Sequence, residues 1–123
     1  RFMTHKKTLV LGASLKPHRY SHLAIQKLVA NNIPTVAIGL RQGIVDGVEV
    51  HTTKPQFKDI DTVTLYLNAS RQEEYYGYII SLKPKRVIFN PGTQNHFFEE
   101  LLRKEGIFLE NACTLVMLTC KNY

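Results

Sequence analysis

Val10-Leu11-Gly12-Ala13-Ser14-Leu15-Lys16-Pro17-His18-Arg19-Tyr20-Ser21 is the stretch on which the reading of this chain turns. An apolar strand runs into a turn of small residues. Two cations follow, and a helical pattern opens behind them. Small residues let backbone N–H groups come close to a phosphate, and the N-terminus of the next helix adds a favourable dipole. Ser14 can offer its hydroxyl as well as its N–H. Lys16 and Arg19 bring countercharge, and an arginine can grip two phosphate oxygens at once. The candidate phosphate site therefore comprises Gly12, Ala13, Ser14, Lys16, Pro17, Arg19, Tyr20 and Ser21.

Outward from this turn, strands and helices alternate. Residues 8–11 form a short apolar strand of the kind buried on both faces. Ala24, Ile25, Leu28 and Val29 make one helical stripe, which Asn31-Asn32 can end with a left-handed residue. Residues 35–38 read as a second strand and a glycine-rich loop covers 39–47. Residues 48–51 read as an edge strand or an extended loop. Residues 62–67 predict a third strand. Tyr75, Tyr78, Ile79 and Leu82 then predict a helix that Pro84 ends. Residues 86–89 predict a fourth strand, Phe97, Phe98, Leu101 and Leu102 a helix closed by Gly106, and 107–109 a fifth strand. The segment 112–120 fits strand or helix. The expected fold is α/β: a doubly wound, Rossmann-like open parallel sheet of about five strands with helices on both faces. In such a sheet the ligand crevice lies beyond the carboxyl ends of the strands, where strand order reverses. That rule selects the residues just after each strand, 39–43, 68–71 and 90–95 beside the first turn, and so adds Gly39, Arg41, Asn68, Asn90, Pro91 and Gly92 to the site.

The 123 residues fit one domain, 1–123. Met3 is a candidate natural start. No apolar run approaches the length of about 20 residues that spans a bilayer, and no segment reads as a signal peptide. The net charge of +6 raises the question of nucleic acid. The cations are scattered, however, with no basic stripe interleaved with aromatics, so the expected partner is a small-molecule nucleotide and neither nucleic acid nor membrane. Cys113 and Cys120 lie seven apart, which is neither a redox nor a zinc spacing, and reduced thiols in a cytoplasm are expected. Tyr75, Tyr76 and Tyr78 put aromatic surface on one helix, so monomer and homodimer both stay open.

The second strand's end discriminates among nucleotides. NAD sites place an acid there for the ribose hydroxyls. This chain has Ile38-Gly39-Leu40-Arg41, and an arginine suits a phosphorylated ribose such as that of coenzyme A or NADP. The G-x-G-x-x-G fingerprint is absent, since no glycine follows Gly12 until Gly39. Gly92 permits close backbone approach, and Thr93 or Asn95 can cap the next helix. His18 and His22 are four apart but lack a third metal ligand in reach, so no metal is expected, with His18 and His22 read as exposed. Glu73-Glu74 and Glu99-Glu100 read as solvated helix faces. No G-x-S-x-G elbow and no triad spacing occurs, and no catalytic residue is assigned.

Gly12-Ala13-Ser14, Lys16-Pro17 and Arg19-Tyr20-Ser21, followed in order by Gly47, Gly92 and Cys113, resemble the small stand-alone coenzyme A-binding domain proteins. The chain is similar over about residues 7–113 to the N-terminal domain of the succinyl-CoA synthetase α subunit. It departs from that pattern at Gly39-Leu40-Arg41 and at Asn68-Ala69-Ser70-Arg71. The resemblance implies phosphate contacts at Gly12, Ala13, Ser14, Lys16 and Arg19, with Gly92 bordering the pantetheine path. It implies a binding protein for coenzyme A or an acyl-CoA, without the synthetase's phosphohistidine domain and without ligase activity of its own. The alternatives are a small NADP-dependent oxidoreductase and a Rossmann-like protein-interaction module.

Overall fold

The structure is a computed structural model that describes residues 5–123, so the candidate start at Met3 lies outside the described residues. Thr8–Ala13 forms β1, and four consecutive positions from Thr8 are buried because both faces of the strand are covered. Tyr20–Ala30 forms α1, whose inner face carries Ala24, Ile25 and Leu28. Asn32 follows it with a positive φ of 60°, the left-handed stop expected of Asn31-Asn32. Thr35–Gly39 forms β2, Gly43–Val45 β3, Val48–His51 β4 and Thr62–Leu65 β5. After β5 come a short helix α2 (Ala69–Gln72), a 3-10 turn (Glu73–Tyr75) and α3 (Tyr76–Leu82). Arg86–Phe89 forms β6, His96–Lys104 α4, Phe108–Asn111 β7 and Thr114–Thr119 α5.

The sheet has seven strands in the order β3-β4-β2-β1-β5-β6-β7 rather than about five. Six run parallel, and β3 is antiparallel to β4. The two additional strands are a hairpin built on Asp46-Gly47. Both of those residues have positive φ, 47° and 82°, which is the backbone of a two-residue turn matched to strand twist. Val45, Val48 and Val50 of the hairpin point inward, while Ile44 and Glu49 point to solvent.

Alternation along the strands divides the interior into two layers. Leu9, Leu11, Val63, Leu65, Val87 and Phe89 face α3 and α4, where they meet Ile79, Leu82, Phe98 and Leu102. Val10, Ala37, Val50 and Ile88 face α1 and α5, where they meet Ile25, Leu28, Met117 and Leu118. Burying each large side chain contributes about 1.5–3 kcal/mol. The segment after β7 is a helix because of what it lands on. Thr114 donates its N–H to Asn90 Oδ1 and shares a hydroxyl hydrogen bond with Thr64, while Met117 and Leu118 complete the second layer. Tertiary contacts there override β-branched propensity.

Tyr75, Tyr76 and Tyr78 are not the exposed aromatic face expected of one helix. All three are half-buried against the chain's own core, with Tyr76 stacked on Phe98 at 4.4 Å. Glu99 is also not solvated as expected: it is 5% exposed and lies 3.7 Å from Arg103.

Candidate functional site

The chain leaves β1 toward β2 on one side and returns to β5 on the other, so strand order reverses between β1 and β5. A doubly wound sheet opens its ligand crevice at that reversal. Two glycines shape its floor. Gly12 is a bulge: Leu11 pairs with Ile38 and Ala13 pairs with Gly39, leaving Gly12 unpaired at φ 96°. A Cβ there would stand 3.0 Å from the Tyr66 carbonyl carbon. At Gly39 a Cβ would stand 2.2 Å from the Ala13 carbonyl oxygen, so only glycine lets β2 close against β1 at this point.

The loop that follows is folded on itself. Lys16 donates its N–H to Ser14 Oγ at 3.1 Å, and Arg19 donates its N–H to the Lys16 carbonyl at 3.1 Å. Ser14 Oγ accepts in this bond and keeps its own proton free to donate. His22 is buried rather than exposed as expected, and its Nδ1 lies 2.9 Å from the Ser14 carbonyl. A carbonyl can only accept, so Nδ1 carries the proton. His22 thus anchors the turn from the first helical turn behind it. His18 stays exposed.

Helix α1 begins without a cap. Arg19 occupies the N-cap, makes no capping bond through its side chain, and no acid lies in the first turn. Asn68 and Asn95, by contrast, cap α2 and α4 through their side chains. The first N–H groups of α1 are therefore left to an external acceptor, and the helix dipole favours an anion there.

These elements enclose a cleft of about 380 Å³. One wall is the β1–α1 turn, residues 12–16 with Arg19. A second is the end of β2, Ile38 to Arg41. The third comes from beyond β5: Tyr66, Leu67, Arg71 and Tyr75. Four cations line it, Lys16, Arg19, Arg41 and Arg71, and no acid does. Among the described residues none of the four side chains makes a salt bridge or an internal hydrogen bond. A second recess, of about 350 Å³, adjoins the first across Gly12, Ser14, Arg19 and Tyr66, and adds His18, Tyr20 and Ser21.

Of the residues selected from sequence, Gly12, Ala13, Ser14, Lys16, Arg19, Gly39 and Arg41 come together in the main cleft, and Tyr20 and Ser21 in the recess. Pro17, Asn68, Asn90, Pro91 and Gly92 line neither. Asn68 caps α2. Asn90 is 2% exposed and fully engaged: Nδ2 donates to Thr64 Oγ1 at 2.6 Å and to the Leu65 carbonyl at 2.9 Å, and Oδ1 accepts from Thr114 N–H at 2.9 Å. Pro91 and Gly92 are exposed at the end of β6, and nothing lies within 4 Å of where a Gly92 Cβ would stand.

Sequence reasoning missed Tyr66 and Tyr75, and although it selected residues 68–71 after β5 it did not name Arg71 among the site residues. Tyr66 shares with Thr64 the face of β5 that meets α5. Its hydroxyl is buried and has no hydrogen-bond partner among the described residues. Burial, with Cys113 nearby, raises its pKa, so the phenol stays neutral. Its signal was position: it directly follows β5 at the reversal of strand order. Cys113 is half-buried, Cys120 is exposed, and both are free thiols. Among the described residues no three His, Cys, Asp or Glu side chains cluster as metal ligands, and no helix is long and apolar enough to cross a membrane.

No curated protein matches the chain. A crystal structure described only as that of an uncharacterized protein is 45% identical, with a TM-score of 0.93 over 96% of this chain and 98% of that one. A cell-free-expressed protein from Thermus thermophilus is 20% identical, with a TM-score of 0.83 over 96% of this chain and 90% of that one. A hypothetical protein from Pyrococcus horikoshii OT3 is 23% identical, with a TM-score of 0.80 over 89% of this chain and 78% of that one. The last two share the fold. A family model described as a CoA binding domain matches residues 6–119. With nearly its whole length matched and its cleft at the expected reversal of strand order, the chain belongs to the CoA binding domain family.

Proposed function

We propose that the protein binds coenzyme A, or an acyl-CoA through its coenzyme A portion, and holds it without transforming it. The observation that carries this reading is the acid-free cleft with four unpaired cations at an uncapped helix N-terminus. A diphosphate lies at the Gly12–Ser14 turn, within reach of the first N–H groups of α1 and of Lys16 and Arg19. A third phosphate, on the ribose, meets Arg41 at the end of β2. Diphosphate and ribose phosphate together carry about as much negative charge as the walls carry positive.

A cleft of about 380 Å³ is near the lower limit for a small-molecule site and accommodates the nucleotide half of such a ligand. The other half crosses the turn into the adjoining recess, past Tyr66, toward Asn90, Pro91 and Gly92. Asn90's side chain is engaged internally, so contact there is through backbone, and Gly92 leaves open space for it. We read the role as one of binding: Ser14 is the aliphatic hydroxyl in the cleft, His22 is bound through Nδ1 to the Ser14 carbonyl and not to its hydroxyl, and His18 is exposed in the adjoining recess.

Isothermal calorimetry tests this. Replacing Ser14 and Arg19 together by Ala is expected to weaken coenzyme A binding by about 1.5–3 kcal/mol for each charge-assisted bond lost. Arg19 is exposed, which places its share toward the lower end. Unchanged affinity overturns the reading. Arg41 would suit the 2′-phosphate of NADP equally well, so NADPH is the second ligand to titrate. Stabilisation against heat by NADPH and not by coenzyme A transfers the site to that cofactor.

A further inference from the structure

We infer that Tyr75, with Arg71 one turn before it, is the platform on which the purine base of the bound nucleotide stacks. The inference rests on the nucleotide reading above and assigns the side chain on which the base stacks, Tyr75, which the sequence did not identify. Both residues line the main cleft on the side opposite Leu40 and Arg41. A phosphate-bearing ribose seated at Arg41 therefore directs its base across the cleft toward them.

The Tyr75 ring is held before any ligand arrives. Lys54 Nζ stands 4.9 Å from its centroid and is itself pinned by donating to the Glu74 carbonyl at 2.8 Å. The Tyr78 ring meets it edge-on, with centroids 6.4 Å apart. Tyr75 lines the cleft and Lys54 and Tyr78 do not, so the part of Tyr75 that meets the cleft is left to the ligand. A prepositioned ring loses little freedom when a base stacks on it, and every base presents a π-face. Arg71 is exposed with its side chain unpaired, and a guanidinium stacks on aromatic faces. Burial and the Glu74 carboxylate raise the Tyr75 phenol's pKa while Arg71 lowers it. The net rise keeps the ring neutral.

The test uses the full chain and three probes: coenzyme A, adenosine 3′,5′-bisphosphate and 4′-phosphopantetheine. Tyr75→Leu keeps bulk at the core edge and removes the π-face; Tyr75→Phe keeps the face and removes the hydroxyl. Tyr75→Leu is expected to weaken coenzyme A and the bisphosphate by roughly 5- to 100-fold, the span of one base stack. It is expected to leave 4′-phosphopantetheine within about twofold, since that probe has no base to stack. Tyr75→Phe is expected to bind all three like the unaltered protein. Affinities of Tyr75→Leu unchanged from those of the unaltered protein for every probe overturn the inference. So does an equal loss for all three, which would make Tyr75 a support of the fold only. Failure of the unaltered protein to bind coenzyme A at all is a different result, and overturns the nucleotide reading itself.

Discussion

Arg41→Ala gives the sharpest test of how the cleft distinguishes ligands. Arg41 ends β2, lines the cleft, is exposed, and has no partner of its own. In the account above it meets the phosphate on the ribose and nothing else on the ligand. A charge-assisted hydrogen bond to a charged group is worth about 1.5–3 kcal/mol. A fully solvated ion pair is worth about 0.2–1 kcal/mol. Arg41 lies between these limits, at the rim of a cleft rather than inside it, so about 1–2 kcal/mol is expected, roughly 5- to 30-fold in affinity. Calorimetric titration with coenzyme A and with its 3′-dephospho form measures this as a ratio. The unaltered protein should prefer coenzyme A by that factor, and Arg41→Ala should bind the two alike. Going from about 0.1 M to about 1 M salt shortens the screening length from about 10 Å to about 3 Å, and should narrow the preference. If Arg41→Ala keeps the full preference, the assignment is refuted. If Arg71→Ala abolishes it instead, the ribose phosphate sits on the opposite wall.

Two further outcomes concern the fold that carries the site. Asn90→Leu leaves the Leu65 carbonyl and the Thr114 N–H without their partner, at about 1–3 kcal/mol for each buried group. Urea unfolding should show a lower midpoint with an unchanged slope; a midpoint equal to that of the unaltered protein would contradict the role given to Asn90. Alkali should destabilise the protein through its tyrosines. Burial raises Tyr78 from the ordinary value of 10.0 to about 12, and raises Tyr66 and Tyr123 as well. Above pH 10 the unfolded chain releases these protons before the folded one does, so the unfolded state binds fewer protons and stability falls with rising pH. Melting temperature should be insensitive to these groups below pH 10 and decline from pH 10 toward about 12; a flat profile through that window contradicts the burial of these phenols.

Much of this could be read from residue order because the central strands are buried on both faces and therefore written as short apolar runs. The same burial makes their ends easy to locate, and with them the crevice residues of the turn and of Gly39 and Arg41. Of the β3–β4 hairpin, residues 48–51 read as an edge strand or an extended loop, while β3 was hidden in a glycine-rich stretch, although Asp46-Gly47 carries the turn chemistry that joins the two. The helix α5 could not be settled locally, because what decides it is Asn90, 24 residues earlier in the chain, and the Thr64 hydroxyl. Asn90 itself illustrates the limit of position-based reasoning. It stands after a strand, where ligand residues gather, but its side chain joins β5, β6 and α5. Tyr75 escaped notice for the opposite reason: it looks like a helix-stripe aromatic until the 3-10 turn brings it to the cleft beside Arg71, which lies in the stretch after β5 that strand position had already marked.

The central claim is that a diphosphate is seated where β1 gives way to α1. A crystal structure of the protein with coenzyme A tests it most directly. The account predicts the diphosphate within hydrogen-bond distance of N–H groups in the turn at 12–14 and at the start of α1, flanked by Lys16 and Arg19. A diphosphate bound at the amino ends of the strands, with the cleft at Gly12 left empty, would contradict it.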